Sequence, residues 1–458
     1  MKFSNIKIYI RLVGLFCFLS SCSMFQTVNV PDPNSPSVQS VLTNATAVQI
    51  NELGVGLQSA FRNGLVDFRY VNGAIGREVY NLNSTEITWT TELLGTLGSL
   101  SVNTGFNAYY DDFSQTRRRA ALFMGSADNS TALSAAQKSG IDGFCNTVEA
   151  YCMLNLANMQ YQNGIRISYS DLNAPGDLLK PGPFVSYTAA LTEIKRLIDL
   201  GATQLASAGG TFAFPMTSGW AGFSTPSTFL TFNQAVGARV AMYQGDWSGM
   251  LTYLNQSFLN LNGPVTMGPV FTFSTTSGDM INPLYQQTNT TISPVVAQNT
   301  FITDAEPGDT RVPSKVVQRT TPRSFGGIIG NYDVYMYPTS VSSVSIIRNE
   351  ELILMYAEAN IQLGQLGTAV PALDAVRASA GLQPLAVAKP TIINNQGALI
   401  TELLNQRRYS LFFEGHRWFD MRRYNLLNTL PENDVNNEKM FVQMIRPFAE
   451  VQWDAKNP

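Results

Sequence analysis

One histidine serves the whole chain of 458 residues, and it stands in the stretch "FEGHRWFD" (413–420). Glu414 precedes His416 by two residues, Arg417 follows it, and Asp420 lies four further on. Acid–base chemistry would need such a group beside a nucleophile, a second carboxylate or a metal. No serine or cysteine nucleophile recurs nearby. On a helix running through the stretch, Asp420 shares a face with His416, and Glu414 with Arg417. Leu411, Phe412, Trp418 and Phe419 repeat at a spacing of seven, which marks a buried stripe. His416 therefore reads as a scaffold residue donating to Asp420 or a nearby carbonyl.

The other polar clusters read the same way. Glu350 and Glu351 follow Asn349 at a helix start, where an Asn cap and first-turn acids suit the helix dipole. Asp111 and Asp112 precede Arg117, Arg118 and Arg119, and pairs such as Asp112 with Arg117 are weak helix-face contacts. "GGIIG" (326–330) shows neither a preceding strand nor a following helix, as a phosphate loop would require.

Of four cysteines, Cys145 and Cys152 stand seven apart in a helical pattern. That puts them ~10 Å apart along the axis, beyond the reach of about 7 Å that a disulfide allows. They read as small buried hydrophobes. With one histidine and two such cysteines, neither a zinc site nor any other cofactor is expected.

The N-terminus carries a different chemistry. Lys2, Lys7 and Arg11 precede the apolar run Leu12–Leu19, which is too short for the ~20 residues a membrane helix needs. The run ends in "LSSC", which resembles a lipobox with Cys22 as the acylated residue. Residues 1–21 are then a signal peptide, and residues 22–45, rich in Pro, Asn and Ser, a lipidated cysteine and extended tether. Residues 46–458 form one domain, anchored to a membrane through lipid rather than spanning it. The net charge of −3 and the absence of a basic patch argue against nucleic acid.

Periodicity predicts helices over 107–124, 143–161, 186–207, 231–245, 247–259, 348–364, 368–382 and 398–425. Two pairs, 231–259 and 348–382, place small residues at a helix crossing beside a tight Gly-containing turn. These are the marks of tetratricopeptide-like hairpins. Between the helices lie long irregular stretches, 70–106, 209–230 and 260–345, whose embedded aromatics argue against disorder. The fold class is mostly α: a scaffold of helical hairpins carrying elaborate loops.

Two blocks then become diagnostic. "RNEELILMYAEANIQLGQLGTAVPALDAVRASAGL" and "ITELLNQRRYSLFFEGHRWFDMRRYN" closely resemble the C-terminal signature of the SusD/RagB family. "GFCNTVEAYCMLNLANMQY" and "FNQAVGARVAMYQGDW" are similar to earlier family segments in the same order. Gln406 departs from the pattern, standing where the family commonly has a carboxylate. The resemblance implies a surface-exposed outer-membrane lipoprotein that captures a glycan or other nutrient. Its implied partner is a SusC-like TonB-dependent transporter, over which it acts as a lid, and it implies a binding protein rather than an enzyme.

Ligand capture would then fall to the loops. Sugars offer C–H faces to aromatic rings and hydroxyls to polar side chains at the rim. Residues 76–95 supply Arg77, Tyr80, Glu86 and Trp89, with Arg77 and Trp89 the leading candidates. Residues 214–229 supply Trp220 and Phe223, and residues 331–338 supply Tyr332 and Tyr335. The competing reading is a helical-repeat scaffold that holds another protein and binds no small ligand. A glycan-degrading enzyme stands third, and would need two carboxyl groups facing each other across a cleft.

Overall fold

The computed structural model describes residues 38–168, 181–432 and 436–457. The expected signal peptide, Cys22 and most of the tether lie outside these residues. The tether's last part is not extended. Val38–Asn44 is a helix (α1), and Val41 and Leu42 are buried.

Thr46 then starts α2 (Ala47–Phe61) with a reciprocal capping box to Gln49, and α3 (Leu65–Ile75) follows. Two long helices, α4 (Ala108–Asn129) and α5 (Ala135–Gln160), pack along each other. From Phe144 to Gln160 every residue of α5 is buried, so no apolar stripe marks it as amphipathic. Cys145 and Cys152 are free and buried, as their spacing requires. Helix α6 (Tyr187–Ala206) lies on α5 and against the pair α7 (Pro226–Gln244) and α8 (Trp247–Gln256).

The turn of that pair is built from two residues. Gly245 takes the left-handed φ of +71°, and the Asp246 carboxylate accepts from Gly249 N–H to cap α8. The close crossing needs Gly237, where a Cβ would stand 2.5 Å from the Tyr253 ring. The second pair, α9 (Asn349–Gln362) and α10 (Leu366–Ser379), turns at Gly364 with φ +74°. With α11 (Gln396–Ser410) it encloses a separate apolar cluster around Ile353, Leu373 and Leu403.

Three expectations need correction. Residues 398–425 are not one helix. The chain breaks after α11, and Phe413 and Gly415 adopt φ of +58° and +84° before α12 (Arg417–Arg423) begins. Asn349 does not cap α9: Arg348 holds that position, and the Asn349 amide accepts from Asn260 N–H and donates to the Asn260 and Pro264 carbonyls. Arg117 does not pair with Asp112 along α4; it reaches Glu149 of α5 at 3.4 Å and the Arg166 carbonyl at 2.9 Å.

The irregular stretches hold more order than their composition suggests. Strands β1 (Val79–Asn81), β5 (Val295–Ala297), β6 (Val316–Phe325) and β7 (Ile328–Val334) form an antiparallel sheet in the order β1-β5-β7-β6. Two short ladders, β2 (Ile165–Arg166) with β3 (Phe184–Val185) and β4 (Val270–Phe271) with β8 (Val344–Ser345), complete the strands. "GGIIG" does follow a strand. Gly326 and Gly327, with φ of +57° and +77°, close a β-hairpin and lead into another strand. Finally, residues 438–456 fold back on the N-terminal half. Glu438 pairs with Arg77 at 3.2 Å, while Glu450 and Asp454 pair with Arg166, each at 2.6 Å.

Candidate functional site

The loop residues expected to gather at a ligand do not meet at one place. Arg77 lies inside. Its side chain is fully buried, donates to the Ala74 and Leu94 carbonyls at 3.1 Å, and pairs with Glu438. Trp220 is 3% exposed and stacks among Phe61, Phe144, Phe229 and Phe232. Trp89 is half-buried, edge-on to Phe106 with ring centres 4.6 Å apart. Glu86 is exposed and accepts from the Thr88 hydroxyl. Tyr80 is half-buried in β1, where burial pushes its phenol up to about 12.

The sheet separates the two tyrosines. Tyr80 faces Val296 of β5, and Val296 faces Asp333 of β7. Tyr332 is the neighbour of Asp333, so its side chain turns to the opposite side. Tyr80 packs with Leu82, Leu94, Val296 and Ile328, whereas Tyr332 lies on the main core.

Two open clefts are lined mostly by other residues, with Trp220 alone of the predicted set on the first. The first, about 490 Å³, runs between α2 and the turn that carries Trp220, with β4 and the loop after it as the far wall. Gln58 is fixed at its edge, donating to the Pro215 carbonyl at 2.9 Å and accepting from Thr217 N–H at 2.9 Å. Arg62 donates to the Thr272 carbonyl at 2.6 Å and pairs with Asp279. The Met280 N–H, with help from Arg62, holds the Asp279 carboxyl below its ordinary value. An indole, a guanidinium, a carboxylate and an amide thus border one opening, the mixture that orients a polyhydroxylated ligand.

The second cleft, about 520 Å³, is charged. Three cations converge there on the C-terminal end of α11. Arg311 donates to the Ser410 hydroxyl at 2.9 Å, Lys315 to the Tyr409 carbonyl at 2.6 Å, and Arg348 and Lys315 both reach the Ser410 carbonyl. Asp309, Glu350 and Glu414 balance them. Burial pushes the Lys315 ammonium down to about 8, with Arg348 adding to it against Glu350 and Glu414. Burial works against the Glu414 carboxylate too, but Arg348, Arg69 and Lys315 overcome it and hold the group at about 2. The guanidinium groups are spent on carboxylates and the Lys315 ammonium on carbonyls, which makes this a structural hub with hydroxyls (Thr266, Ser314, Ser343) on its wall.

His416 is the first residue before α12 and touches the same system from behind. Its Nε2 stands 3.8 Å from Glu351, not from Asp420, which pairs with Arg407 at 2.6 Å and Arg423 at 2.9 Å. Glu350 and Glu351 are likewise ion-pair partners, to Arg348 and Arg239. They are first-turn acids of α9 as the sequence suggests; the ion pairs come in addition, and their signal was the density of Arg and Glu in otherwise apolar blocks. Among the described residues, no group of His, Cys, Asp and Glu is arranged to hold a metal, and no helix is long and apolar enough to cross a membrane.

The architecture is a helical-hairpin scaffold with a strand-bearing loop layer and open polar clefts. The SusD family model matches residues 309–457, the segment that carries both signature blocks. The fold agrees over the rest. A laminarin-binding SusD-like protein is 16% identical with a TM-score of 0.62, over 88% of this chain and 97% of that one. A SusD superfamily protein from Bacteroides vulgatus is 17% identical with a TM-score of 0.60, over 84% and 89%. Surface glycan-binding protein A from Bacteroides uniformis is 13% identical with a TM-score of 0.62, over 85% and 90%. No curated protein matches the sequence. The SusD/RagB resemblance seen in the sequence and the mostly helical, SusD-like fold stand together.

Proposed function

We propose that this protein captures an oligosaccharide at the cell surface and passes it to a SusC-like TonB-dependent transporter, anchored to the outer membrane by lipid on Cys22. The observation that carries the reading is the fold shared along nearly the whole length of a laminarin-binding SusD-like protein. The family match over residues 309–457 and the lipobox-like "LSSC" support it. We place the sugar in the cleft bordered by Trp220, Gln58, Arg62 and Asp279, where a predicted aromatic borders an open volume together with polar side chains. The early loop with Tyr80, Glu86 and Trp89 is the second location to test.

The test is calorimetric titration of the mature protein with soluble glycans of differing linkage, beside co-purification from detergent-extracted membranes. Saturable binding of one glycan class and recovery of a barrel partner are expected. A partner without any glycan binding would move the reading to the interaction scaffold; neither result would sink it. A Cys22→Ser variant should leave the membrane fraction, and one that still floats with membranes would remove the anchor.

A further inference from the structure

Three unsatisfied groups of the interior border one cavity. It is narrow, about 10 Å³, and lies behind the Phe413–His416 turn, walled by Arg69, Asn155, Arg239, Glu414, His416 and Phe419 among others. Roughly 10–15 Å³ on this measure admits one water. Three residues of this wall carry a buried atom without a hydrogen-bond partner, Arg69 Nε, Asn155 Nδ2 and His416 Nδ1. The three residues are 3%, 5% and 6% exposed. A buried polar group left in that condition forfeits its hydration with nothing in return, so three on one cavity call for a common partner.

The chemistry of that partner follows from the hydrogens. Arg69 Nε and Asn155 Nδ2 can only donate. His416 turns its Nε2 toward the Glu351 carboxylate at 3.8 Å, and Arg239 keeps that carboxylate ionised by a two-point pair at 2.7 and 2.6 Å. The negative charge favours the imidazole proton on Nε2, which leaves Nδ1 as an acceptor. The three unpaired atoms are therefore two donors and one acceptor. A halide would accept from both donors but would face the Nδ1 lone pair. A cation would face the Arg69 guanidinium.

We infer that the cavity is a binding site for one ordered water molecule, which accepts from Arg69 Nε and Asn155 Nδ2 and donates to His416 Nδ1. The water joins α3, α5 and the turn before α12. It gives the chain's only histidine a defined task.

A high-resolution crystal structure of the mature protein is expected to show a density peak within about 2.7–3.2 Å of all three atoms. The same crystals grown in bromide should show no anomalous signal there. An anomalous peak would assign the site to an anion and overturn the inference. So would side chains that pair with one another and leave no peak. In solution, water relaxation dispersion should count one fewer long-lived water in Asn155→Leu than in the wild type. Equal amplitudes in the two folded proteins would also overturn it.

Discussion

Arg239 of α7 and Glu351 of α9 meet in the interior as a two-point ion pair, with Nε to Oε1 at 2.7 Å and the second contact at 2.6 Å. The pair fastens the first helical hairpin to the second across 112 residues of chain. Both side chains are almost wholly buried, 6% and 3% exposed. Removing one partner strands a charge, which typically costs 3–5 kcal/mol, whereas replacing both by apolar residues is often neutral or stabilising. Glu351→Ala is expected to lose about 3–5 kcal/mol in urea unfolding, and Arg239→Met with Glu351→Leu to recover most of it. A single variant as stable as the wild type would show that the pair carries no such weight.

The solitary histidine makes a pH prediction separable. Burial outweighs the pull of Glu351 and, with Arg239 and Arg407 adding to it, holds His416 down at about 4, against an ordinary 6.5. Between those values the unfolded chain binds a proton that the folded one does not, so stability falls as pH drops from 6.5 toward 4. The expected contribution is about 3 kcal/mol over that window. Glu78, raised by burial to about 8, and Asp142, raised by burial to about 7, act in the opposite sense. The comparison of His416→Gln with the wild type isolates the histidine: the variant's curve should lack the extra loss on acidification. Parallel curves would refute the assignment.

Gly415 fixes the break between α11 and α12. Its φ of +84° is left-handed, and a Cβ there would run into the Phe68 ring. Gly415→Ala is expected to cost about 2–4 kcal/mol, from backbone strain together with overpacking. Gly367, inside α10 with open space around it, is the control. Gly367→Ala should be neutral or gain up to about 1 kcal/mol in thermal unfolding.

Arg62 gives the cleft its cationic edge. Arg62→Ala should weaken binding of a captured glycan about tenfold, or about 1.4 kcal/mol. Its partner Asp279 is 31% exposed, so the melting temperature should move little. Tyr80→Ala and Glu86→Ala are the counter-test. If they abolish binding while Arg62→Ala binds as the wild type does, the sugar lies on the early loop instead.

What the sequence revealed divides along physical lines. Helices with small residues at a crossing and glycine at a turn, such as Gly237 and Gly245, were legible because local sterics demand those residues. The break at Phe413–Gly415 was not, since its apolar residues keep a spacing of seven across the gap and end up buried, like Phe412 and Trp418 at 0%. The hairpin of β6 and β7 was hidden by an exposed edge strand: Gln318, Thr320 and Pro322 face solvent, leaving no apolar alternation to count. Arg77 and Trp220 looked like binding residues by type. Only long-range packing, against Glu438 for one and against Phe61 and Phe229 for the other, reveals Arg77 as interior and Trp220 as a mostly buried wall of the first cleft.

The returning C-terminal segment sets an order of events. Arg77 and Arg166 sit among elements made early in the chain, yet the carboxylates opposite them are Glu438, Glu450 and Asp454. A polypeptide delivered only as far as Asn437 still lacks those anions, so its first half cannot close without burying two guanidinium groups that have carbonyl acceptors but not these counter-charges. Completion thus waits for the tail. Under the proposed function, in which the chain crosses a membrane as an open thread, that delay would keep it passable until the whole length has arrived.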